Sequence, residues 1–193
     1  MTPARPELHA RFETLVLPHL GELLAFARRR THAPEDAEDL VQEACVRAWQ
    51  GIGELREASS ARPWLYRILR SVLGDAHEKA GRRQRLVSFT RLEAAHESLL
   101  GGDADALFEE VLRRLDAEAI HAALREVPED FATPVELHDL VGFKYHEIAD
   151  ILGIPLGTVM SRISRGRRLL AGALVARLRR RPAAARDAHD ARE

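Results

Sequence analysis

An all-α chain of two small helical domains is what this sequence predicts. Three observations carry that expectation. Apolar residues recur at the 3.6-residue helical period along most of the 193 residues, and strand-like alternation is scarce. No internal repeat is evident that would make the chain a single repetitive array. One segment, residues 87–106, loses periodicity around a Gly pair in "ESLLGGDAD" and reads as a flexible linker. The expected organisation is a first domain over 8–86, the linker, a second domain over 107–178, and a polar, Ala-rich tail over 179–193 that frays.

The elements follow in order. "LHARFETLVLPHLGELLAFARRR" has helical periodicity with a bend expected at Pro18. "PEDAEDLVQEACVRAWQGI" opens with Pro34 at a first helical position, and Glu35 and Asp36 suit the positive end of the helix. "GELREASSARP" reads as a loop, and "PWLYRILRSVLGDAHEKAG" as a third long helix. Beyond the linker come "ALFEEVLRRLDAEAIHAALREV", "DFATPVELHDLVG", "KYHEIADILG" and "PLGTVMSRISRGRRLLAGALVARL", each with helical spacing.

Composition narrows the function. A 46% hydrophobic and 31% charged content suits a globular protein, and the apolar runs fall short of the roughly 18 residues a membrane span needs. "MTPARPELHARFETL" lacks the pattern of a secretory signal, so a cytoplasmic location with no membrane insertion is expected. The single cysteine, Cys45, excludes an internal disulfide framework. On the inward stripe it reads as a small apolar residue rather than a redox sensor. Net charge is −1, but acidic residues crowd "PEDAEDLVQE" while arginines crowd "EKAGRRQR", "SRGRRLL" and "ARLRRR". Separate acidic and basic faces suit two partners of opposite character.

The two last helices have the spacing of a helix-turn-helix. At about 100° per residue, Val159, Ile163, Gly166 and Leu170 share one side of the final helix. Ser161, Ser164, Arg165 and Arg168 fall opposite, with Arg162 and Arg167 on the flanks. In the preceding helix Ile148, Ala149 and Leu152 face inward, and Ala149 permits a close crossing. Gly153 suits the unusual backbone of the turn. The second helix of such a pair enters the major groove. Arg165 and Arg168 suit either guanine edges or phosphates. Gly157 and Thr158, in the first turn, allow close approach of a phosphate.

In the first half, Ala37, Val41, Ala44, Cys45, Ala48 and Ile52 form an inward stripe. Asp36, Asp39, Glu43, Val46 and Gln50 line the other face, and carboxylates around an exposed valine suggest a docking surface. In "RPWLYRILRSVLGD", Leu65, Ile68, Leu69 and Val72 are core-spaced, while Arg67, Arg70 and Ser71 lie off that seam. Trp64 and Tyr66 beside cations suit single-stranded bases, although Trp64 by spacing alone reads as core. Lys79, Arg82, Arg83 and Arg85 suit duplex phosphates.

Taken together, these motifs resemble the extracytoplasmic-function (ECF) group of bacterial sigma factors, small members of the sigma-70 family. The resemblance runs from about Leu8 to Leu178. "AEDLVQEACVRAW" resembles region 2.2, "RPWLYRILRSVLGDAHEKAGRR" regions 2.3 and 2.4, and "EVPEDFATPVELHDLVGFKYHEIADILGIPLGTVMSRISRGRRLL" region 4, the most specific of the three. The resemblance implies that the first domain is sigma region 2 and the second sigma region 4. It implies a factor that binds core RNA polymerase and directs promoter-specific initiation. Asp36, Asp39, Gln42, Glu43 and Val46 would then meet the β′ clamp helices. Region 4 would meet the β flap. Arg56 to Arg62 would form the loop that captures a flipped −10 base. Trp64, Arg67, Arg70, Ser71, Lys79, Arg82 and Arg83 would join Arg56 and Arg62 in opening and reading the −10 element. Gly157, Thr158, Ser161, Arg162, Ser164, Arg165 and Arg168 would read the −35 element. A small anti-sigma protein is a further partner that the resemblance suggests.

Two departures stand out. Ser71 occupies a position where many relatives have Asn. Trp64 is followed by Leu65, where housekeeping relatives pair two tryptophans, so a weaker wedge predicts a strong demand for near-consensus promoters. An enzyme is disfavoured. "YHEIAD" lacks the second histidine of a zinc-protease helix, no His/Cys cluster has metal spacing, and no Gly-rich phosphate loop appears, so neither metal nor cofactor is expected. A stand-alone helix-turn-helix regulator would account for residues 140–178 but not for the acidic stripe or the aromatic-basic helix.

Overall fold

The computed structural model describes residues 5–31, 33–79 and 117–180. The described elements are helical: α1 (Arg5–Leu15), a 3₁₀ turn (Leu17–His19), α2 (Leu20–Arg28), α3 (Pro34–Gly51), a second 3₁₀ turn (Ala58–Ser60) and α4 (Ala61–Lys79). After the linker come α5 (Ala117–Leu124), α6 (Glu129–Val135), a π turn (Glu136–Leu140), α7 (Tyr145–Leu152) and α8 (Leu156–Arg180). Among the described residues no helix is long and apolar enough to cross a membrane. The expected linker over 87–106 lies outside the described residues, as does the expected tail over 179–193 except for residues 179 and 180, which continue the last helix.

Local chemistry explains most boundaries. Pro18 stands inside the 3₁₀ turn, where its missing N–H and fixed φ end α1 and let α2 start in a new direction. Pro34 opens α3 as expected, with Glu35 and Asp36 in the first turn. Helix α4 begins two residues before Pro63, at Ala61, so the preceding loop is shorter than the sequence suggests. Pro134 lies within α6, and the backbone then widens into the π turn, where the Val141 amide donates to the Glu136 carbonyl at 3.0 Å. A residue with no amide hydrogen has disturbed the regular ladder, and the extra residue per turn absorbs the break.

The chain forms two compact units that interleave along the sequence. The first comprises residues 1–85 with 142–159, and the second 86–141 with 160–193. In the first unit α3 packs between α2 and α4, and α7 packs on α4. Its core is Leu23, Phe26, Val41, Ala44, Ile52, Leu65, Tyr66, Leu69, Phe143, Ile148 and Val159, all buried. The inward stripe expected of α3 is buried at Ala37, Val41, Ala44, Ala48 and Ile52, with Cys45 half-buried. In the second unit, Ile120, Ala123, Leu124, Val127, Ala132 and Val135 pack with Leu169, Leu170, Ala173 and Leu174 of α8.

Gly166 sets how closely α6 and α8 approach. A Cβ built there would lie 2.5 Å from the Phe131 carbonyl oxygen and 2.6 Å from Val135 Cγ2. Only a residue without a side chain fits that crossing.

Candidate nucleic-acid and polymerase interfaces

The helix-turn-helix is built as its spacing predicts. Helix α7 ends at Gly153, whose φ of 65° and ψ of 37° lie in the left-handed region. The amides of Gly153 and Ile154 both return to the Ala149 carbonyl, at 2.8 and 3.2 Å, which closes the helix end. The Pro155 carbonyl accepts from Thr158 and Val159 and starts α8. At the start of α7, the Glu147 carboxylate accepts the Lys144 amide at 2.7 Å. Val159, Ile163, Gly166 and Leu170 are buried, while Gly157, Ser161, Ser164 and Arg168 are exposed. Thr158 and Arg162 are half-buried, and so is Arg165, which helical spacing placed on the open side but which lies over the Phe131 ring.

Three arginines of α8 differ in how far they are committed inside the second unit. Arg162 lies 3.3 Å from the exposed Asp130 carboxylate, and the Arg165 guanidinium sits 5.4 Å from the Phe131 ring centroid. Both side chains are held near the protein surface. Arg167 donates to both oxygens of Asp139, at 2.6 and 3.0 Å, and the pair is only 15% and 11% exposed. It anchors α8 to the π turn, a structural role that its flank position did not reveal.

On α3, Asp36, Asp39, Gln42, Glu43 and Gln50 are exposed, and Val46 is 51% exposed although it is apolar. Arg47, absent from the sequence-based candidates, links this face to α4. Its guanidinium donates to Glu43 at 2.9 Å, to Asp75 at 2.8 Å and to Ser71 Oγ at 3.4 Å. An Arg four residues after a Glu is a legible helical pair, but its reach to α4 depends on how the two helices cross. Cys45 carries a thiol pushed up by burial, so it stays protonated and weakly nucleophilic at neutral pH.

The α4 residues divide sharply. Arg67, Arg70 and Ser71 are exposed, as is Arg56 in the preceding loop. Trp64 is half-buried against the end of α3, with its ring 3.2 Å from a Cβ built on Gly51. Tyr66 corrects the expectation that it faces single-stranded bases. It is 1% exposed and packs edge-on to Phe26 and to Phe143, at 5.1 and 4.9 Å between ring centroids. In a helix buried on more than one side, an aromatic next to arginines belongs to the core. Arg62 is not a free cation either. It donates to both carboxylate oxygens of Glu22, at 2.8 to 3.1 Å, and its guanidinium lies 4.4 Å from the Phe143 centroid. Burial raises the Glu22 carboxyl, but the hydrogen bond and charge of Arg62, helped by His19, outweigh it and hold the group below its usual range. Nothing is described of the Lys79 side chain, and Arg82 and Arg83 lie outside the described residues.

Phe143 is a further residue the sequence reading missed. It precedes Lys144 at the entry of α7, with Ile148 five residues later, the spacing of a hydrophobic staple. Both are buried.

An exposed basic face on a helix-turn-helix, in a chain that also carries an exposed acidic helix face, fits a DNA-binding transcription protein. Comparison with known proteins narrows the class. The family model for sigma-70 region 2 matches residues 15–83, and that for sigma-70 region 4 matches residues 117–170. The RNA polymerase sigma-H factor of Pseudomonas aeruginosa is 31% identical over 172 residues, covering 87% of this chain and 88% of its own. The ECF RNA polymerase sigma-E factor of Escherichia coli K12 is 31% identical over 165 residues, covering 81% and 82%. The solved sigma factor RpoE of Bartonella quintana, in complex with the anti-sigma factor NepR, superposes with a TM-score of 0.63 at 26% identity, over 84% of this chain and 96% of that one. The chain belongs to the sigma-70 family, in its ECF group, and its function is that of an RNA polymerase sigma factor.

Proposed function

We propose that this chain binds core RNA polymerase through α3 and reads promoter DNA through α4 and α8, as a cytoplasmic, non-catalytic initiation factor. The observation that carries the reading is the two-sided character of α3. One side is sealed in the core, and the other offers Val46 at 51% exposure among Asp36, Asp39, Gln42 and Glu43. A large apolar side chain left in water inside a carboxylate ring suits a partner that buries it, here the β′ clamp helices. A stand-alone regulator has no use for that surface. Arg56, Arg67, Arg70 and Ser71, exposed along one stretch, suit the −10 element, with Trp64 and Arg62 beside them. Gly157, Thr158, Ser161, Arg162, Ser164, Arg165 and Arg168 suit the −35 major groove, and region 4 the β flap.

With a net charge of −1, the free chain neutralises few phosphates outside local patches. Polymerase would hold both readers at a set separation and make the second contact intramolecular. An anti-sigma protein like that bound to the Bartonella quintana relative would act by covering these same faces. Mixing the chain with core polymerase and a promoter library tests the reading. Promoter-specific transcripts, confined to sequences near consensus, are expected. Failure to co-elute with core polymerase overturns it.

A further inference from the structure

Arg47 stands where the helix assigned to polymerase meets the helix assigned to the −10 element. Its Nε donates to Glu43 at 2.9 Å, on its own helix α3. Its Nη1 reaches across to α4, where it lies 2.8 Å from Asp75 Oδ2 and 3.4 Å from Ser71 Oγ. That nitrogen carries two hydrogens, so both contacts are made at once. Glu43 and Asp75 thus hold the guanidinium from two sides, with Ser71 at its edge. Ser71 is exposed, and among the described residues its hydroxyl has no other hydrogen-bond partner.

The contact gives a neutral hydroxyl a direction. A serine hydroxyl has one donor hydrogen and two acceptor lone pairs, and in water it turns to suit whichever group approaches. Beside Arg47 one lone pair faces a cation. The guanidinium hydrogens repel the hydroxyl's own hydrogen, so the O–H turns away from α3. Asp75, one turn further along α4, would otherwise draw that hydrogen to its carboxylate, but Arg47 occupies it.

We propose that Arg47 is a positioning residue for promoter reading: it sets Ser71 as a hydrogen-bond donor, so that the base facing Ser71 must present an acceptor. The inference rests on the assignment of Ser71 to the −10 element made above. In the major groove adenine N7, guanine N7 and O6, and thymine O4 accept, whereas cytosine offers only its N4 donor. Cytosine is the base that this arrangement excludes. An asparagine in place of Ser71 carries a carbonyl and an amide of its own and needs no such help.

Transcription with core polymerase tests this on promoter templates carrying each of the four bases in turn at each −10 position. The readout is the ratio of transcripts between templates for one protein preparation, from which the folded fraction cancels. The position at which Ser71→Ala changes the preference identifies the base that Ser71 faces. There, cytosine is expected to give the wild type roughly fivefold less transcript than the best base, the effect of one hydrogen bond. In Arg47→Ala the hydroxyl turns freely, and the ratio is expected to fall towards one, with no further change in the double variant Arg47→Ala, Ser71→Ala. Ser71→Asn is expected to keep its own preference when Arg47→Ala is added, and a change there as large as in the serine chain overturns the proposal. A ratio that Arg47→Ala leaves at the wild-type value also overturns it, even where transcription falls equally on all four templates. An equal fall is the mark of an uncompensated Asp75 repelling phosphates rather than of lost base reading. If Ser71→Ala leaves every preference intact, the assignment of Ser71 falls and the proposal with it, while the sigma-factor function stands. A wild-type chain that yields no transcript from any template overturns the promoter reading itself.

Discussion

Replacing Gly166 with Ala tests the packing of the second unit in a way that separates tertiary contact from helix propensity. In an open helix the change stabilises by about 1 kcal/mol, because glycine gives up more backbone freedom on folding. At Gly166 the new methyl would lie 2.5 Å from the Phe131 carbonyl oxygen and 2.6 Å from Val135 Cγ2, whereas ordinary contact begins at 3.4 Å. Val135 can give only a little, since it is itself buried, and the carbonyl belongs to the α6 backbone. Relief therefore requires α6 and α8 to part by nearly an ångström. Overpacking of this kind costs about 3 kcal/mol, at the upper end of its usual range, so the net loss is roughly 2 kcal/mol. For a domain of this size that corresponds to a melting point lower by about 8–16 °C. Thermal unfolding followed by circular dichroism measures it, with Gly74→Ala as the control. A Cβ at Gly74 in α4 meets nothing within 4 Å, and that variant is expected to gain stability. A melting point that rises in Gly166→Ala as it does in Gly74→Ala would refute the close crossing.

Other predictions address the charged groups. Arg167→Ala leaves Asp139 in a largely buried site and is expected to destabilise the second unit by about 3 kcal/mol, with Asp139→Asn in the same background recovering part of the loss in denaturant unfolding. Arg165→Ala and Arg168→Ala are expected to weaken transcription from promoters that depend on the −35 element while core polymerase still co-elutes; equal loss of both properties would indicate misfolding instead. Glu22 has a folded pKa below its ordinary value of about 4.3. Its contribution is therefore complete above that value and lost as pH falls through the lower folded value, and Glu22→Gln should flatten the acid limb of the stability curve. Cys45, with its thiol raised by burial, should alkylate more slowly at pH 7.5 than a free cysteine, and rapid labelling in the native chain would contradict its half-buried place.

Much of the molecule is written in residue order. The inward stripe of α3, the break at Pro18, the left-handed Gly153 and the seam of Val159, Ile163, Gly166 and Leu170 are consequences of local period and backbone chemistry. Each can be read from a window of a few residues, because helical geometry alone sets which positions share a face. The exposure of Ser161, Ser164 and Arg168 on α8 follows from the same arithmetic, whereas Arg165 is half-buried against Phe131.

Tertiary structure decided which of those faces meet. A 3.6-residue period gives one seam per helix, but α4 is covered by α3 on one side and by α7 on another, so Tyr66 is core although it lies off the expected seam. The pairing of Arg62 with Glu22, of Arg167 with Asp139 and of Arg47 with Asp75 joins residues 40, 28 and 28 positions apart. Charge pairs of that kind depend on the crossing of helices distant in sequence, where many carboxylates compete for each guanidinium. Residue type and spacing thus determine the helices and their inner sides. The choice of partner across each interface is settled only when the whole apolar surface is buried together.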